Sequence, residues 1–163
     1  MMKLLAKQPL EMPVDGRQSK TALAVARGTA RLLHAHGFSV VSELGLPSGR
    51  RADLVALDVG GEIWIVEIKS SVADFCADQK WQEYRAHCDR LFFATGMEVP
   101  REIFPPDTGL IVADAFGAQI HCQAPEHRLA AATRKSMLLS FARAAALRLQ
   151  SLADPTGPYG DVS

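Results

Sequence analysis

The chain has 163 residues, 48% of them apolar and 22% charged, enough to bury one substantial core and too few for two full domains. Its 18 Lys and Arg balance 18 Asp and Glu, which excludes a surface coated with cations for unspecific nucleic-acid binding. No apolar run approaches the roughly 18 residues that span a bilayer, and the three cysteines lack the spacing of a disulfide framework or zinc ribbon, so a cytoplasmic protein is expected. The neutral total hides blocks: residues 1–51 carry 8 basic and 3 acidic side chains, 52–125 carry 5 and 12, and 126–163 carry 5 and 3.

Residues 1–18 lack a sustained period and contain Pro9, Pro13 and Gly16, which predicts an N-terminal arm. A helix is expected over 19–36, capped by Ser19 or Thr21, with Leu23, Ala26, Ala30 and Leu33 at helical spacing and Gly37 as its left-handed terminator. Strand one follows at Phe38–Leu44, then a turn at Gly45–Gly49. Strands at Arg51–Val59 and Glu62–Lys69 flank Gly60-Gly61 and predict a hairpin. Residues 72–88 read as one helix with an apolar stripe of Val72, Phe75, Cys76, Trp81, Tyr84 and Cys88. Further strands are expected at Arg90–Thr95, Leu110–Val112 and Gln119–Cys122. A long helix over Thr133–Leu152 then carries Leu138, Phe141, Ala145, Leu149 and Leu152 inward. The domain spans 19–152, and 153–163 reads as a flexible tail. This order predicts an α/β fold, a helix–three strands–helix–strand core around a central mixed sheet with an extra C-terminal strand pair and helix.

Parity singles out one constellation. Residues two apart in a strand share a face, so Glu67 and Lys69 project together while Ile68 offers that side only its carbonyl. A hairpin turning at Gly60-Gly61 pairs residues whose numbers total about 121, which sets Asp53 beside Glu67. Two carboxylates and a carbonyl are hard oxygen ligands suited to Mg²⁺ or Mn²⁺. Such an ion polarises a phosphoryl oxygen and activates water, and Lys69 alongside would orient that water or neutralise developing charge, so phosphodiester hydrolysis is the matching reaction. The rival is a structural salt bridge among Asp53, Glu67 and Lys69.

Asp53, Glu67 and Lys69 on a hairpin between these elements resemble the PD-(D/E)XK nuclease superfamily over residues 19–95. The runs Gly49-Arg50-Arg51-Ala52-Asp53-Leu54, Glu67-Ile68-Lys69-Ser70-Ser71, Asp74-Phe75, Asp78, Lys80-Trp81, Tyr84 and Cys88-Asp89-Arg90 are similar to the MmcB-type DNA repair proteins. The resemblance implies a bacterial protein of DNA repair or damage tolerance with DNA as partner and nuclease chemistry. It makes Asp53 and Glu67 metal ligands and Lys69 the base or charge stabiliser. Two departures stand out: Ala52 replaces the superfamily's proline, and residues 19–36 lack the acid that many relatives carry on the first helix. Glu43 is either a third carboxylate or a solvated strand end. Lys80 and Tyr84, four apart, resemble a pair that relatives place behind the site, against a plain packed Tyr and an exposed Lys. Arg50 and Arg51 are candidates for phosphate contacts, against a solvated turn. Trp81 is a base-stacking candidate or a core residue. The alternative function is an inactive nuclease-fold module that binds DNA or a repair partner.

Overall fold

The computed structural model describes residues 19–159; the N-terminal arm and the last four residues lie outside them. Helix α1 (Lys20–Ala35) leads into strands β1 (Ser39–Gly45), β2 (Arg51–Leu57) and β3 (Ile63–Ile68). A short helix α2 (Val72–Ala77) and a 3₁₀ helix (Trp81–His87) precede β4 (Arg90–Thr95). Then come β5 (Gly109–Ala113), β6 (Ala118–Cys122) and α3 (Ala131–Ala153). The strands form one mixed sheet in the order β1-β2-β3-β4-β5-β6, parallel at β3-β4 and β4-β5 and antiparallel elsewhere. The α/β class and the expected element order both hold. No helix among the described residues is long and apolar enough to cross a membrane.

The apolar run Ile63–Val66 puts β3 in the middle of the sheet, where both faces are covered and every residue is buried. On one face, α1 packs Val25, Ala26 and Leu33 against Leu54, Trp64, Val66 and Phe92. On the other, α3 and the 3₁₀ helix pack Met137, Phe141 and Tyr84 against Val55, Ile65 and Leu91. Ser19 caps α1, its hydroxyl accepting from the Ala22 amide at 3.1 Å, and Gly37 closes it with φ 86°. Gly28 is a steric requirement: a Cβ there would overlap the carbonyls of Asp114 and Gly117 in the β5–β6 hairpin.

Two expectations need correction. The predicted helix over 72–88 is broken. Asp78 turns its carboxylate back to the Lys80 amide at 3.1 Å, so α2 ends at Ala77 and the chain resumes as 3₁₀ turns. With about three residues per turn, positions 80 and 84 no longer share a face. Tyr84 is buried beside Trp81, which meets Phe93 edge-on at 5.4 Å, while Lys80, Val72 and Cys76 are exposed. Second, α3 is rotated from its predicted stripe. Met137, Phe141 and Ala144 are buried, whereas Leu149 and Leu152 are exposed, because Arg148 rather than Leu149 turns toward the sheet. Its guanidinium donates to the carbonyls of Ser42 and Glu43 on edge strand β1. After α3, the Gly157 amide donates to Asp154 O at 3.1 Å.

Candidate functional site

The hairpin between β2 and β3 sets the site. Asp58 Oδ1 accepts from the amides of Gly60 and Glu62, both at 2.8 Å, and Gly61 takes φ 86°. The loop therefore has three residues centred on Gly60, not a two-residue bend at 60-61. Centring on Gly60 pairs Leu54 with Val66 and Val55 with Ile65, which carries Asp53 directly opposite Glu67. The two interlock: the Asp53 amide donates to Glu67 Oε1 at 3.1 Å, and the Ile68 amide donates to Asp53 Oδ2 at 2.7 Å. Ile68 thus contributes its N–H here, and its side chain lies in the α1 core.

The register of β1 adds a third acid. Ser42 pairs with Leu54 and Leu44 with Ala52, so Glu43 faces position 53 from the other side. Its φ of 51° makes it the one non-glycine residue with positive φ among the described residues. Arg51 holds its carboxylate. Arg50 lies 5.2 Å from the Tyr84 ring centroid and pairs with Glu83 at 2.9 Å and Asp78 at 3.7 Å. The Tyr84 hydroxyl donates to Arg51 O at 3.2 Å, bracing the start of β2.

Lys69 is only 6% exposed. Its amide donates to Ala94 O at 2.9 Å, and its carbonyl accepts from Thr95 Oγ1 at 2.6 Å. Its ammonium donates to Asp78 Oδ2 at 2.8 Å, so the predicted rival, a closed salt bridge of Lys69 with Asp53 and Glu67, is replaced by a pairing with Asp78.

The family model for "DNA repair protein MmcB-like" matches residues 9–156. The chain belongs to the MmcB-like family. A solved structure described as the SPO1766 protein of unknown function from Silicibacter pomeroyi is 48% identical, with a TM-score of 0.84, over 90% of this chain and 99% of that one. No curated protein matches.

The electrostatics of this MmcB-like chain are uneven around the site. Burial pushes the Asp53 carboxyl up to about 6, aided by the charges of Glu43 and Asp74 and opposed by the Ile68 amide and Lys69. Burial and then the Asp53 charge lift Glu67, which is 3% exposed, well above the usual carboxylate range; the Asp53 amide, Lys69 and Tyr84 offset part of that. Burial and the Glu67 charge also raise Tyr84. Burial works on Asp78 too, but the hydrogen bond and charge of Lys69, the Lys80 amide and Arg50 outweigh it and hold that carboxyl low. Among the carboxylates of this site, negative charge is therefore under-neutralised at Asp53 and Glu67.

That imbalance is what a divalent cation would relieve; Asp53 is half-buried and Glu67 buried. Among the described residues no group of three or more His, Cys, Asp or Glu side chains is set to hold a metal. Two carboxylates nonetheless suffice for Mg²⁺, which keeps several waters. Two carboxylates are hard oxygen donors, the kind that such an ion takes.

Sequence reasoning assigned no role to Asp78 or Asp74. Asp78 fixes Lys69, and Asp74 adds to the field at Asp53 while its Oδ2 accepts from the Ser70 amide at 2.9 Å. The available signal was polar: Asp78-Gln79-Lys80 interrupts an otherwise helical pattern immediately after the strand that ends in Lys69.

Proposed function

We propose that this protein is a metal-dependent nuclease that hydrolyses phosphodiester bonds of DNA in repair or damage tolerance. Membership of a DNA repair family supplies the biological setting and DNA as partner. The observation that carries the chemistry is the Asp53–Glu67 pair: two interlocked carboxylates on one face of the sheet, both raised in proton affinity, beside a buried ammonium.

Asp53 and Glu67 would hold Mg²⁺ or Mn²⁺, with the Ile68 carbonyl and Glu43 as further oxygen donors in the proposed set, and such an ion would supply Lewis-acid chemistry there. The Ile68 amide and the Asp53 amide fix the two carboxylates, so neither has to reorganise when the substrate arrives. Lys69, aimed by Asp78, orients the attacking water or balances charge on the pentavalent phosphorus. Tyr84 steadies Glu67 and the Arg51 backbone. Arg50, Arg51 and Lys80 line the approach for the phosphate backbone, which requires the two arginines to exchange acid partners for phosphates.

A second reading, an inactive nuclease fold that binds DNA or a repair partner, is favoured by one observation. Lys69, Arg50 and Arg51 are each already paired with an acid. Mg²⁺ or Mn²⁺ titration with labelled single-stranded, duplex, flap and branched DNA decides between them. Metal-stimulated cleavage lost in both Asp53→Ala and Lys69→Ala supports the enzyme. DNA binding retained in all three proteins with cleavage in none establishes the silent module.

A further inference from the structure

We propose that the β5–β6 hairpin carries a subsite for unpaired nucleotides of single-stranded nucleic acid, with a base stacked on Phe116 and phosphates held by Arg101, His121 and the cations of α1. The proposal rests on the nuclease reading only in that the bound strand then runs on toward Asp53 and Glu67.

Phe116 is 82% exposed at the hairpin tip, yet the turn that presents it is firmly built. Asp114 Oδ1 accepts from the amides of Phe116 at 2.7 Å and Gly117 at 2.9 Å, and Arg31 of α1 donates to Phe116 O at 3.1 Å. Phe116 also lines a cleft of about 480 Å³, together with Met97, itself 75% exposed, Arg101, Gln119 and His121. Arg101 and His121 face each other at 3.3 Å. Glu98 and Glu102, their neighbours in sequence, do not line the cleft, and the carboxylate of Asp114, which does, is bound to its own turn.

The contact with Arg31 joins this cleft to a cationic stripe. Lys20, Arg27 and Arg31 are exposed along one side of α1, and the sequence from 16 to 42 contains no acid. Cations around an exposed aromatic ring fit a strand whose phosphates are attracted and whose bases stack. A cleft of this volume is of nucleotide size, and a double helix, whose base faces are already stacked on one another, has none free for Phe116. Topology links the two sites. β3, β4 and β5 are parallel, so Lys69, Met97 and Asp114 all leave the sheet at the same edge. From β3 to β6 is three strand spacings, about 14 Å, a span of a few nucleotides.

The test is fluorescence anisotropy in EDTA, where no metal-dependent cleavage interferes, with labelled dT12, U12 and a 12-base-pair duplex. Wild-type protein is expected to bind dT12 or U12 more tightly than duplex, and the ratio of the two single strands assigns DNA or RNA. Phe116→Ala should weaken single-strand binding roughly tenfold or more while Phe116→Trp retains it, with both variants melting as wild type does. Arg101→Ala should lower the salt slope by about one ion. Binding that is indifferent to Phe116→Ala, duplex binding as tight as single-strand binding, or Phe116-dependent binding of an acidic peptide in place of the oligonucleotides would overturn it. Asp53→Asn should leave dT12 binding intact. Cleavage lost with binding kept therefore speaks to the acids, and cleavage kept with no dependence on Phe116 removes only the subsite.

Discussion

Strand β3 has a buried acid centre at each end, and the two are built in opposite ways. At its start, Asp89 is 2% exposed and fully met. Arg134 donates to both its oxygens at 2.7 Å, the Ile63 amide to Oδ2 at 2.8 Å and the Leu129 amide to Oδ1 at 2.9 Å. Burial pushes that carboxyl up, but Arg134 and the two amides outweigh it and hold it below the usual range. At the far end, Asp53 and Glu67 receive one amide each, face one another, and are pushed up. A buried acid with a guanidinium and two amides ties β3 to β4 and α3. A pair of acids sharing too little positive charge is held in place by the rest of the fold and is ready to take up a cation.

The largest expected effect lies at the structural end. Arg134→Met strands Asp89 without its counter-charge and should cost about 3 kcal/mol in urea unfolding at pH 7. Because the folded Asp89 pKa lies below its unfolded value, its contribution is present above the unfolded pKa and fades as pH falls through the folded one. The variant and wild type should therefore converge as pH falls below the unfolded value and through the folded one. A deficit unchanged at low pH would break the contrast.

Asp53→Asn should act in the other direction. Its folded pKa near 6 exceeds the unfolded 3.8, so ionised Asp53 costs stability above pH 6 and the cost vanishes below the unfolded value. Without metal, the variant should exceed wild type by at most about 3 kcal/mol at pH 8 and match it at pH 3.5. A variant destabilised as Asp89→Asn would be shows the two ends to be alike.

Adding Mg²⁺ or Mn²⁺ at pH 8 should stabilise wild type by about 1.4 kcal/mol when the metal is tenfold above Kd, and leave Asp53→Asn unmoved in thermal melting. The smallest effect belongs to Asp78→Asn. Lys69 is then free to turn to the Asp53–Glu67 pair, so the loss should be about 1 kcal/mol. The wild-type rise in stability from pH 8 to pH 5 should flatten in that variant. A much greater loss would make Asp78 a purely structural partner like Arg134.

The strands and the hairpin were legible because their signals are local. Ile63-Trp64-Ile65-Val66 is apolar enough to be central, and the glycines at 60 and 61 place the turn within one residue. Asp53 opposite Glu67 follows from that turn alone. The break at Asp78 had a local polar signal in Asp78-Gln79-Lys80, but the pairing of Asp78 with Lys69, nine residues earlier, was not legible. The inward turn of Arg148 was hidden because its partners, the carbonyls of Ser42 and Glu43, are more than a hundred residues away. Glu43 could be named as a candidate acid, but its place across from Asp53 depends on the β1–β2 register.

By itself, then, the sequence determined the α/β order, the β2–β3 pairing and the facing of two carboxylates, since period, turn chemistry and strand parity act over a few residues. Only the tertiary structure decided which charges are satisfied. Asp89 acquires Arg134 and Asp78 acquires Lys69, while Asp53 and Glu67 are left short of positive charge. The physical reason is that burial and Coulomb neighbours are set by what packs across the sheet, and side chains distant in sequence cannot be read as partners until the chain has brought them within a few ångströms.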